Sequence, residues 1–504
     1  MERVPVGYKA ICDKLDLSTL PNYCESYIVK QGRGKIIIEG HREIRLYPKS
    51  YALNNENDTI AHLEFALKYE GINLEIITAF FKKIKFTEVI KYIQKQPTGI
   101  YARKMWYLYE FLTEQQLDIQ DCQRIKYVDL LDPKIYFTGK IIKSSRHAIN
   151  NNLLGNKNFC PFVRRTKVLE TYIELNLSDK VNYLLKKYDA KFVSRVCSYL
   201  YTKETMSSYQ IEKEQPDKAR VSRFIAMLQK APSIEYLSKE VLIQLQNMIV
   251  DIRFKDSDYR CTQNYVGESV QQQFEKIHYI SPKFEDVSEL MQGLLDSLER
   301  MFISQNAHPV IIAAAIAFGF VFIHPFEDGN GRIHRFLIHY ILSKKEYTPN
   351  DILFPISSIM LQKMENYDAI LESFSRPLLS VLTNYELSNE GKLAVNQESK
   401  AFYQYIDYTA ISEYLFSCIS DSIYSHIEKE IKFLLSYDKV KKCIQEIVDM
   451  PDKKIDLFIK FVTQNKGVLS NQKKERFFSM LTDDEIECLS KIINETMDMN
   501  EVLD

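Results

Sequence analysis

Hydrophobic residues recur along most of the chain at the three- and four-residue spacing of an α-helix, and this pattern predicts a mainly α-helical protein. The longest apolar run extends from Val310 to Ile323 and contains 14 residues. A helix that crosses a membrane needs about 20 residues, so this run predicts a helix that is buried on all sides. Pro325 cannot continue a helix, and we therefore expect the helix to end at His324.

A second clear helix is predicted from Thr59 to Glu70. Its apolar residues share one face, Asp58 precedes it as a candidate N-terminal cap, and Gly71 follows it as a candidate terminator. Most of the chain up to residue 230 is expected to be helical as well. Within this region, the basic and polar stretch from Thr202 to Arg223 is interpreted as a connecting surface.

Two short segments instead favour β-structure. Residues 35–49 are rich in β-forming residues around Gly40-His41, which predicts a hairpin. Residues 262–266 and 277–280 predict the two strands of a second, looser hairpin. We divide the chain into a mainly helical N-terminal region at 1–230, a central unit at 231–385, and a helical C-terminal domain at 386–504. A winged-helix-like arrangement is one candidate for the C-terminal domain.

Composition narrows the class of protein. A chain of 504 residues is expected to form several domains. The 66 basic and 67 acidic residues nearly cancel, so no nucleic-acid or membrane partner is predicted. The nine cysteines are scattered and form no C-x-x-C pair, as expected for reduced thiols. The N-terminus lacks the apolar core of a signal peptide, and a cytoplasmic location is predicted.

The residues that follow the buried helix carry the candidate chemistry. A histidine ordinarily titrates near neutral pH, and His324 could therefore accept a proton from a hydroxyl group. A Gly-Asn-Gly turn at 329–331 then leads directly into a helix, whose N-terminus offers free N–H groups to phosphate. Arg332 and Arg335 add positive charge one turn apart, and Asp328 is a suitable oxygen ligand for Mg²⁺. Together these residues predict phosphate-ester chemistry on a nucleotide.

The segment His324-Pro325-Phe326-Glu327-Asp328-Gly329-Asn330-Gly331-Arg332-Ile333-His334-Arg335 resembles the Fic family signature H-P-F-x-[D/E]-G-N-G-R-x-x-R at every specified position. The resemblance extends back through Tyr259-Arg260 and residues 263–268, which are similar to the flap of larger Fic proteins. It implies a helical Fic core with a small β-hairpin flap, covering at least residues 233–380.

The family resemblance also implies a reaction. Fic enzymes of this type are protein adenylyltransferases, which transfer AMP from ATP to a Tyr, Ser or Thr hydroxyl of a protein and release pyrophosphate. The resemblance implies that His324 is the general base and that Asp328 is the ligand of Mg²⁺. The ATP-binding residues that it implies are Gly329, Asn330, Gly331, Arg332 and Arg335, with Tyr367 near the nucleotide base. The flap would align the target protein by strand addition.

Many Fic proteins also carry an inhibitory helix with the pattern [S/T]-x-x-x-E-[G/N], whose glutamate pairs with the second arginine of the motif. Residues 66–71, Ala-Leu-Lys-Tyr-Glu-Gly, resemble this pattern but have alanine at the hydroxyl position. The resemblance implies that the helix at 59–71 is inhibitory and that Glu70 pairs with Arg335.

Several alternatives stay open at this point. The same site could transfer another nucleotide or phosphocholine, or could remove AMP. The chain could instead be a regulatory or binding protein with a dormant Fic site, for example one that reads nucleic acid through residues 386–504. Self-modification and homodimer formation are further expectations that the sequence does not decide.

Overall fold

The protein is described by a computed structural model that covers residues 3–39, 42–271, 274–304, 306–349, 352–388 and 390–497. Helices dominate these residues, and the strands form only small sheets. The predicted mainly α class is therefore confirmed.

The N-terminal region begins with a four-stranded sheet in the order β1-β2-β4-β3. β2 and β4 are parallel, and the other neighbours are antiparallel. The elements are β1 (Arg3–Val6), α1 (Tyr8–Leu15), β2 (Cys24–Val29), β3 (Lys35–Glu39) and β4 (Arg42–Pro48). The hairpin predicted at 35–49 is confirmed as β3 and β4, although its turn at Gly40-His41 lies outside the described residues.

Four helices follow, at α2 (Thr59–Tyr69), α3 (Leu74–Lys83), α4 (Phe86–Lys95) and α5 (Ile100–Thr113). The helix predicted at 59–70 is confirmed as α2. Asp58 caps it by accepting a hydrogen bond from Ala61 N at 3.0 Å. Gly71, with φ +90°, takes the left-handed conformation that ends the helix. These helices enclose a separate apolar core around Trp106.

A three-stranded sheet comes next, formed by β5 (Val128–Asp129), β6 (Ile142–Ser144) and β7 (Ile149–Asn151). The first 165 residues thus contain two sheets, whereas the sequence predicted one hairpin among helices. The short strands at 128–151 escaped prediction because they carry two or three residues each, too few to show an alternating pattern.

The next helices are α6 (Lys167–Glu174), α7 (Leu177–Leu185), α8 (Ala190–Ile211), α9 (Lys218–Lys230) and α10 (Lys239–Ile249). The interpretation of residues 202–223 as a connecting surface was wrong, because most of the stretch lies in α8 and α9. Glu204, Thr205, Ser207 and Ser208 on α8 are all buried. A buried polar group needs a hydrogen-bonding partner. Ser208 finds its partner in Arg335 of the Fic-like motif, and Glu204 finds its partners in His339 and Ser357.

The Fic-like motif joins two packed helices of the central unit. Its elements are the flap strands β8 (Tyr265–Gln271) and β9 (Phe274–Ile280), then α11 (Phe284–Ile303), α12 (Pro309–Ile323), α13 (Asn330–Lys344), α14 (Ile356–Gln362) and α15 (Met364–Val381). The predicted second hairpin is confirmed, with longer strands. α12 is buried almost throughout, as predicted for the apolar run.

The C-terminal part contains β10 (Tyr385–Leu387), β11 (Leu393–Val395), α16 (Lys400–Gln404), α17 (Thr409–Ser422), α18 (Glu428–Ile447), α19 (Asp452–Gln464), α20 (Asn471–Phe477) and α21 (Asp483–Thr496). The largest apolar core runs from Phe137 to Leu434 and so crosses the boundaries predicted at 230 and 385. A separate core joins Val440 to Met497. No helix in the described parts of the chain is long and apolar enough to cross a membrane.

Candidate active site

The candidate base, His324, stands at the exit of α12. Its N–H donates to Phe320 O at 2.9 Å, and its backbone then turns into the left-handed region at φ +53°. Because Pro325 follows, the chain leaves the helix axis at this residue. The imidazole is thereby placed at the end of a rigid, fully packed helix.

The hydrogen bond of the imidazole fixes its tautomer. His324 Nδ1 lies 3.2 Å from Val321 O, and a carbonyl oxygen can only accept, so Nδ1 carries the proton and Nε2 is left as the basic atom. Burial lowers the pKa of His324 to about 4, although the bond to Val321 opposes the shift. The ring is therefore neutral, and ready to accept a proton, throughout the physiological range.

Arg260 fastens the backbone around the histidine. Its side chain is 5% exposed and donates to His324 O at 2.8 Å, Thr262 O at 2.7 Å and Pro282 O at 2.6 Å. Its own N–H donates to Pro325 O at 2.8 Å. Burial lowers the pKa of Arg260 to about 10, so the side chain remains a cation. One arginine thus ties the motif loop to the start and the end of the flap.

The loop itself is held by Asn330. Its side-chain amide donates to Phe326 O at 2.7 Å and accepts from Phe326 N at 3.0 Å, closing the loop on itself. Phe326 is fully buried and packs against the tilted ring of Tyr259, with ring centres 5.6 Å apart. Gly329 has φ +92°, a conformation that favours glycine. Asn330, predicted to cradle phosphate, therefore supports the loop with its side chain.

Asp328 lies between the loop and α13. Its Oδ1 accepts from Gly329 N at 2.6 Å and from Arg332 Nη2 at 2.6 Å. Both of these bonds fall on Oδ1, and 40% of the side chain is exposed. The carboxylate is thus partly open to solvent, which suits the metal role predicted for this residue.

Arg335 is a deeply enclosed cation of the site, with 1% of the residue exposed. Its Nε donates to Ser208 Oγ at 2.8 Å, and its Nη2 donates to Ser208 O at 2.9 Å and to Glu212 Oε1 at 2.7 Å. Its buried Nη1 has no hydrogen-bond partner among the described residues. A buried donor left without a partner is costly, and an anion bound at this site would supply one.

Glu212, the residue after α8, is the carboxylate that pairs with Arg335. Burial opposes its ionisation, but the positive charge and hydrogen bond of Arg335 prevail and lower the pKa of Glu212. A methyl group at Gly331 would clash with Glu212 Oε1. The carboxylate therefore occupies the space directly above the N-terminus of α13, where a phosphate would otherwise bind.

Arg332 is engaged by a second carboxylate from the same segment. Its guanidinium lies 3.0 Å from Glu214 Oε1, and Glu214 Oε2 in turn accepts from Arg220 Nη2 at 2.6 Å. The Tyr209 ring lies beside both of these arginines, with the Arg332 guanidinium 5.6 Å from its centre. Both motif arginines thus have an acidic partner from residues 212–214.

The structure does not bring Glu70 to Arg335, contrary to the expectation from sequence. Glu70 is buried in the N-terminal core, where its Oε2 accepts from Tyr8 N at 2.8 Å. Burial raises the pKa of this carboxyl to about 7. Tyr367 does lie near the motif: it is 5% exposed and stacks on His334 with ring centres 6.5 Å apart.

A sequence signal for the true partner of Arg335 existed. Ser208-Tyr209-Gln210-Ile211-Glu212-Lys213 fits [S/T]-x-x-x-E at its first and fifth positions, including the hydroxyl residue that residues 66–71 lack. It departs only at the last position, where Lys213 replaces Gly or Asn. Lys213 nevertheless adopts φ +57°, the conformation for which Gly and Asn are preferred.

Comparison with known proteins shows which family this part of the chain matches. The sequence model of the Fic/DOC family matches residues 236–342, which include the whole segment from His324 to Arg335. Residues 236–342 are a Fic domain.

Three relatives named "Protein adenylyltransferase Fic" align with part of the chain. The protein from Drosophila willistoni is 30% identical over 129 residues, covering 23% of this chain and 24% of the relative. The one from Culex quinquefasciatus is 38% identical over 95 residues, covering 18% and 16%. The one from Nematostella vectensis is 33% identical over 99 residues, covering 19% and 20%. The chain thus spans a quarter or less of the length of these relatives.

Two solved structures also align. A Fic family protein from Desulfovibrio desulfuricans G20 has a TM-score of 0.38 at 15% identity, covering 67% of this chain and 86% of that protein. A Fic domain containing signaling protein from Bacteroides thetaiotaomicron has a TM-score of 0.37 at 18% identity, covering 50% and 96%.

Proposed function

We propose that the Fic domain transfers AMP from ATP to a hydroxyl group of a protein and that Glu212 holds it inactive. The observation that carries the proposal is the position of the Glu212 carboxylate, which pairs with Arg335 above the N-terminus of α13. A protein anion in that place marks the site as one built for an anionic substrate.

The reaction follows from the groups that surround this anion site. A target hydroxyl oxygen attacks the α-phosphorus of ATP, its proton passes to His324 Nε2, and the bond from the α-phosphorus to the bridging oxygen breaks. Pyrophosphate leaves. His324 suits this role because its Nδ1–H is fixed by Val321 O and its ring is neutral near pH 7.

Charge on the phosphates would be balanced by the two arginines and by Mg²⁺ at Asp328. Protein sites bind Mg²⁺ through one or two carboxylates together with substrate phosphates, and Asp328 offers a partly exposed carboxylate. The ion would neutralise the phosphate oxygens during transfer. Arg335 would exchange Glu212 for a phosphate and so satisfy its orphaned Nη1.

Inhibition would be relieved when Glu212 leaves Arg335. Glu212 and Glu214 lie on one short segment, so a movement of that segment would free both arginines together. The resting enzyme is therefore expected to label proteins weakly, because its own carboxylates compete with the phosphates for the same cations.

The test is labelling of the protein and of a lysate with α-labelled ATP in the presence of Mg²⁺. We expect Glu212→Gly to increase AMP incorporation at least tenfold over the wild type, and Glu212→Gly with His324→Ala to abolish it. Glu70→Gln is the matched control, since it neutralises a buried glutamate that does not touch the motif, and it should leave incorporation unchanged. Equal labelling by the wild type and Glu212→Gly would refute the inhibitory role.

Parallel reactions with α-labelled UTP, GTP and CTP test the choice of nucleotide. Preference for one of these over ATP would replace AMP transfer by transfer of another nucleotide. Loss of AMP from a pre-labelled target on addition of the wild-type protein would show that the protein also removes AMP. Self-modification is read from the band of the protein itself.

A further inference from the structure

The N-terminal sheet ends in an exposed strand. Among the described residues, β3 is hydrogen-bonded to β4 on one side only and forms the edge of the sheet. Ile36 is 60% exposed and Ile38 is 74% exposed, and Lys35 and Glu39 are exposed as well. The strand therefore offers solvent both a free backbone edge and large apolar side chains.

Such an edge is a ready template for another strand. Proteins usually protect edges with a charge inside the strand, a proline or a bulge. β3 has the sequence Lys-Ile-Ile-Ile-Glu, with three consecutive isoleucines and charges only at its ends, and its pairing with β4 shows no register shift. Isoleucine favours strand pairing, so the composition of β3 promotes association along this edge.

The sequence of β3 is complementary to itself in the antiparallel direction. If Ile37 lies opposite Ile37 of a second copy, Lys35 faces Glu39 of the second copy at one end, and Glu39 faces its Lys35 at the other. Ile36 and Ile38 then form cross-strand pairs with Ile38 and Ile36 of the second copy. Every opposed pair is either apolar with apolar or opposite in charge, and both kinds stabilise antiparallel strands.

We propose that β3 is a homodimer interface, at which two copies of the chain pair through their edge strands about a two-fold axis at Ile37. The two four-stranded sheets then form one continuous sheet of eight strands. A two-fold contact needs a surface that complements itself, and this strand meets that condition. The interface lies on the N-terminal sheet and uses none of the Fic motif residues, so it is independent of the proposed function.

The expected dimer is weak and depends on concentration. Five residues from each copy bury less surface than the roughly 1,600 Å² of a standard stable interface. The opposite-charge pairs and the isoleucine pairs add modest cross-strand attraction to the backbone hydrogen bonds. The association should thus appear as a monomer–dimer equilibrium in sedimentation velocity over a concentration series.

Charge exchange provides the test. Lys35→Glu opposes two carboxylates at each end of the paired strands and should make the protein monomeric over the series that dimerises the wild type. Glu39→Lys should do the same by opposing two lysines. The double variant Lys35→Glu/Glu39→Lys restores both pairs and should dimerise again. An equimolar mixture of the two single variants should form a heterodimer, because each then supplies the charge that the other needs.

Two outcomes would overturn the proposal. One is a wild type that stays monomeric at every concentration reached. The other is a dimer that both single variants retain, which would place the interface elsewhere on the chain. Thermal unfolding of each variant checks the fold. Lys35→Glu is expected to disturb the fold less than Glu39→Lys, because position 35 pairs with Leu46 on β4, whereas Glu39 pairs with the oppositely charged Arg42. Binding of a foreign extended peptide at β3 by a wild type that stays monomeric would be an instance of the first outcome.

Discussion

At the scale of single residues, the Fic motif shows how far local sequence determines a site. Arg332 and Arg335 lie in the first turns of α13, and Asp328 contacts Arg332, four positions later. Helix geometry alone brings residues three or four positions apart together. The spacing does not identify Glu212 and Glu214, which pair with these two arginines, because both glutamates come from a segment about 120 residues earlier in the chain.

The choice between Glu70 and Glu212 illustrates this limit. Both glutamates end a helix and are followed by a residue with positive φ. Only packing decides which of the two helices lies against α13. The one local difference was a hydroxyl residue four positions earlier, present as Ser208 and absent at Ala66, and in the structure Ser208 Oγ accepts from Arg335.

The protonation of His324 gives a prediction for the pH dependence of activity. Burial lowers its pKa to about 4 from the ordinary value near 6.5, so the base-competent neutral form persists as the pH falls below 6. In the Glu212→Gly variant, which also loses a charge that raises this pKa, the acid limb of the labelling rate should lie below pH 5. Initial rates in a series of constant-ionic-strength buffers measure this limb.

A limb near pH 6.5 would contradict the burial of the imidazole in the working enzyme. His324→Ala in the same background is the control, because its expected loss of labelling at every pH shows that the measured rate depends on this group. The circular dichroism of both variants must stay constant over the pH range, so that a loss of rate is not a loss of fold.

At the scale of elements, the predictions succeeded where proline, glycine and a single apolar face define a helix, as in α2 and α12. They failed for α8, whose C-terminal half carries Glu204, Ser207 and Ser208 on a buried side. There the polar residues face other polar residues: Glu204 lies 2.7 Å from His339 Nε2 and accepts from Ser357 N at 2.8 Å. A pattern that equates polar with exposed cannot detect such a helix.

The conformation of Lys213, at the end of α8, gives a prediction for the basal activity. Lys213 holds the left-handed conformation at φ +57°, which costs an L-residue about 1–2 kcal/mol relative to the right-handed helical one. A β-branched residue is disfavoured there even more strongly. Lys213→Val should therefore weaken the turn that presents Glu212 and raise basal AMP incorporation severalfold, whereas Lys213→Gly should leave it equal to or below that of the wild type.

Labelling of the three proteins side by side with α-labelled ATP measures the effect. The two substitutions remove the same lysine charge, so a difference between them reports on the backbone. Should valine and glycine raise incorporation equally, the lysine charge and not the helix end would govern the resting state.

At the scale of the whole molecule, the domain boundaries at 230 and 385 were inferred from changes in sequence character, and they remain a prediction. One apolar core extends across both boundaries. α17 contributes Ile411, Leu415, Phe416 and Ile419 to the same apolar core as α12. Sequence alone could not show this, because an apolar face of a helix does not name the helix that it packs against.

The shared core predicts how the chain responds to shortening. A variant that ends at residue 385 lacks α17 and uncovers one side of α12. Each of the four large apolar side chains that α17 contributes is worth about 1.5–3 kcal/mol when buried, and their sum equals or exceeds the lower end of the roughly 5–15 kcal/mol that stabilises a native protein.

A variant that ends at Asp449 keeps α17 and α18 and loses only most of the separate C-terminal core. We expect the first variant to lack a cooperative thermal transition and the second to unfold cooperatively and, with Glu212→Gly, to retain AMP incorporation. Thermal melting followed by circular dichroism, with limited proteolysis, compares the two, and a cooperative melt of the chain ending at 385 would show that α17 is dispensable for the Fic core.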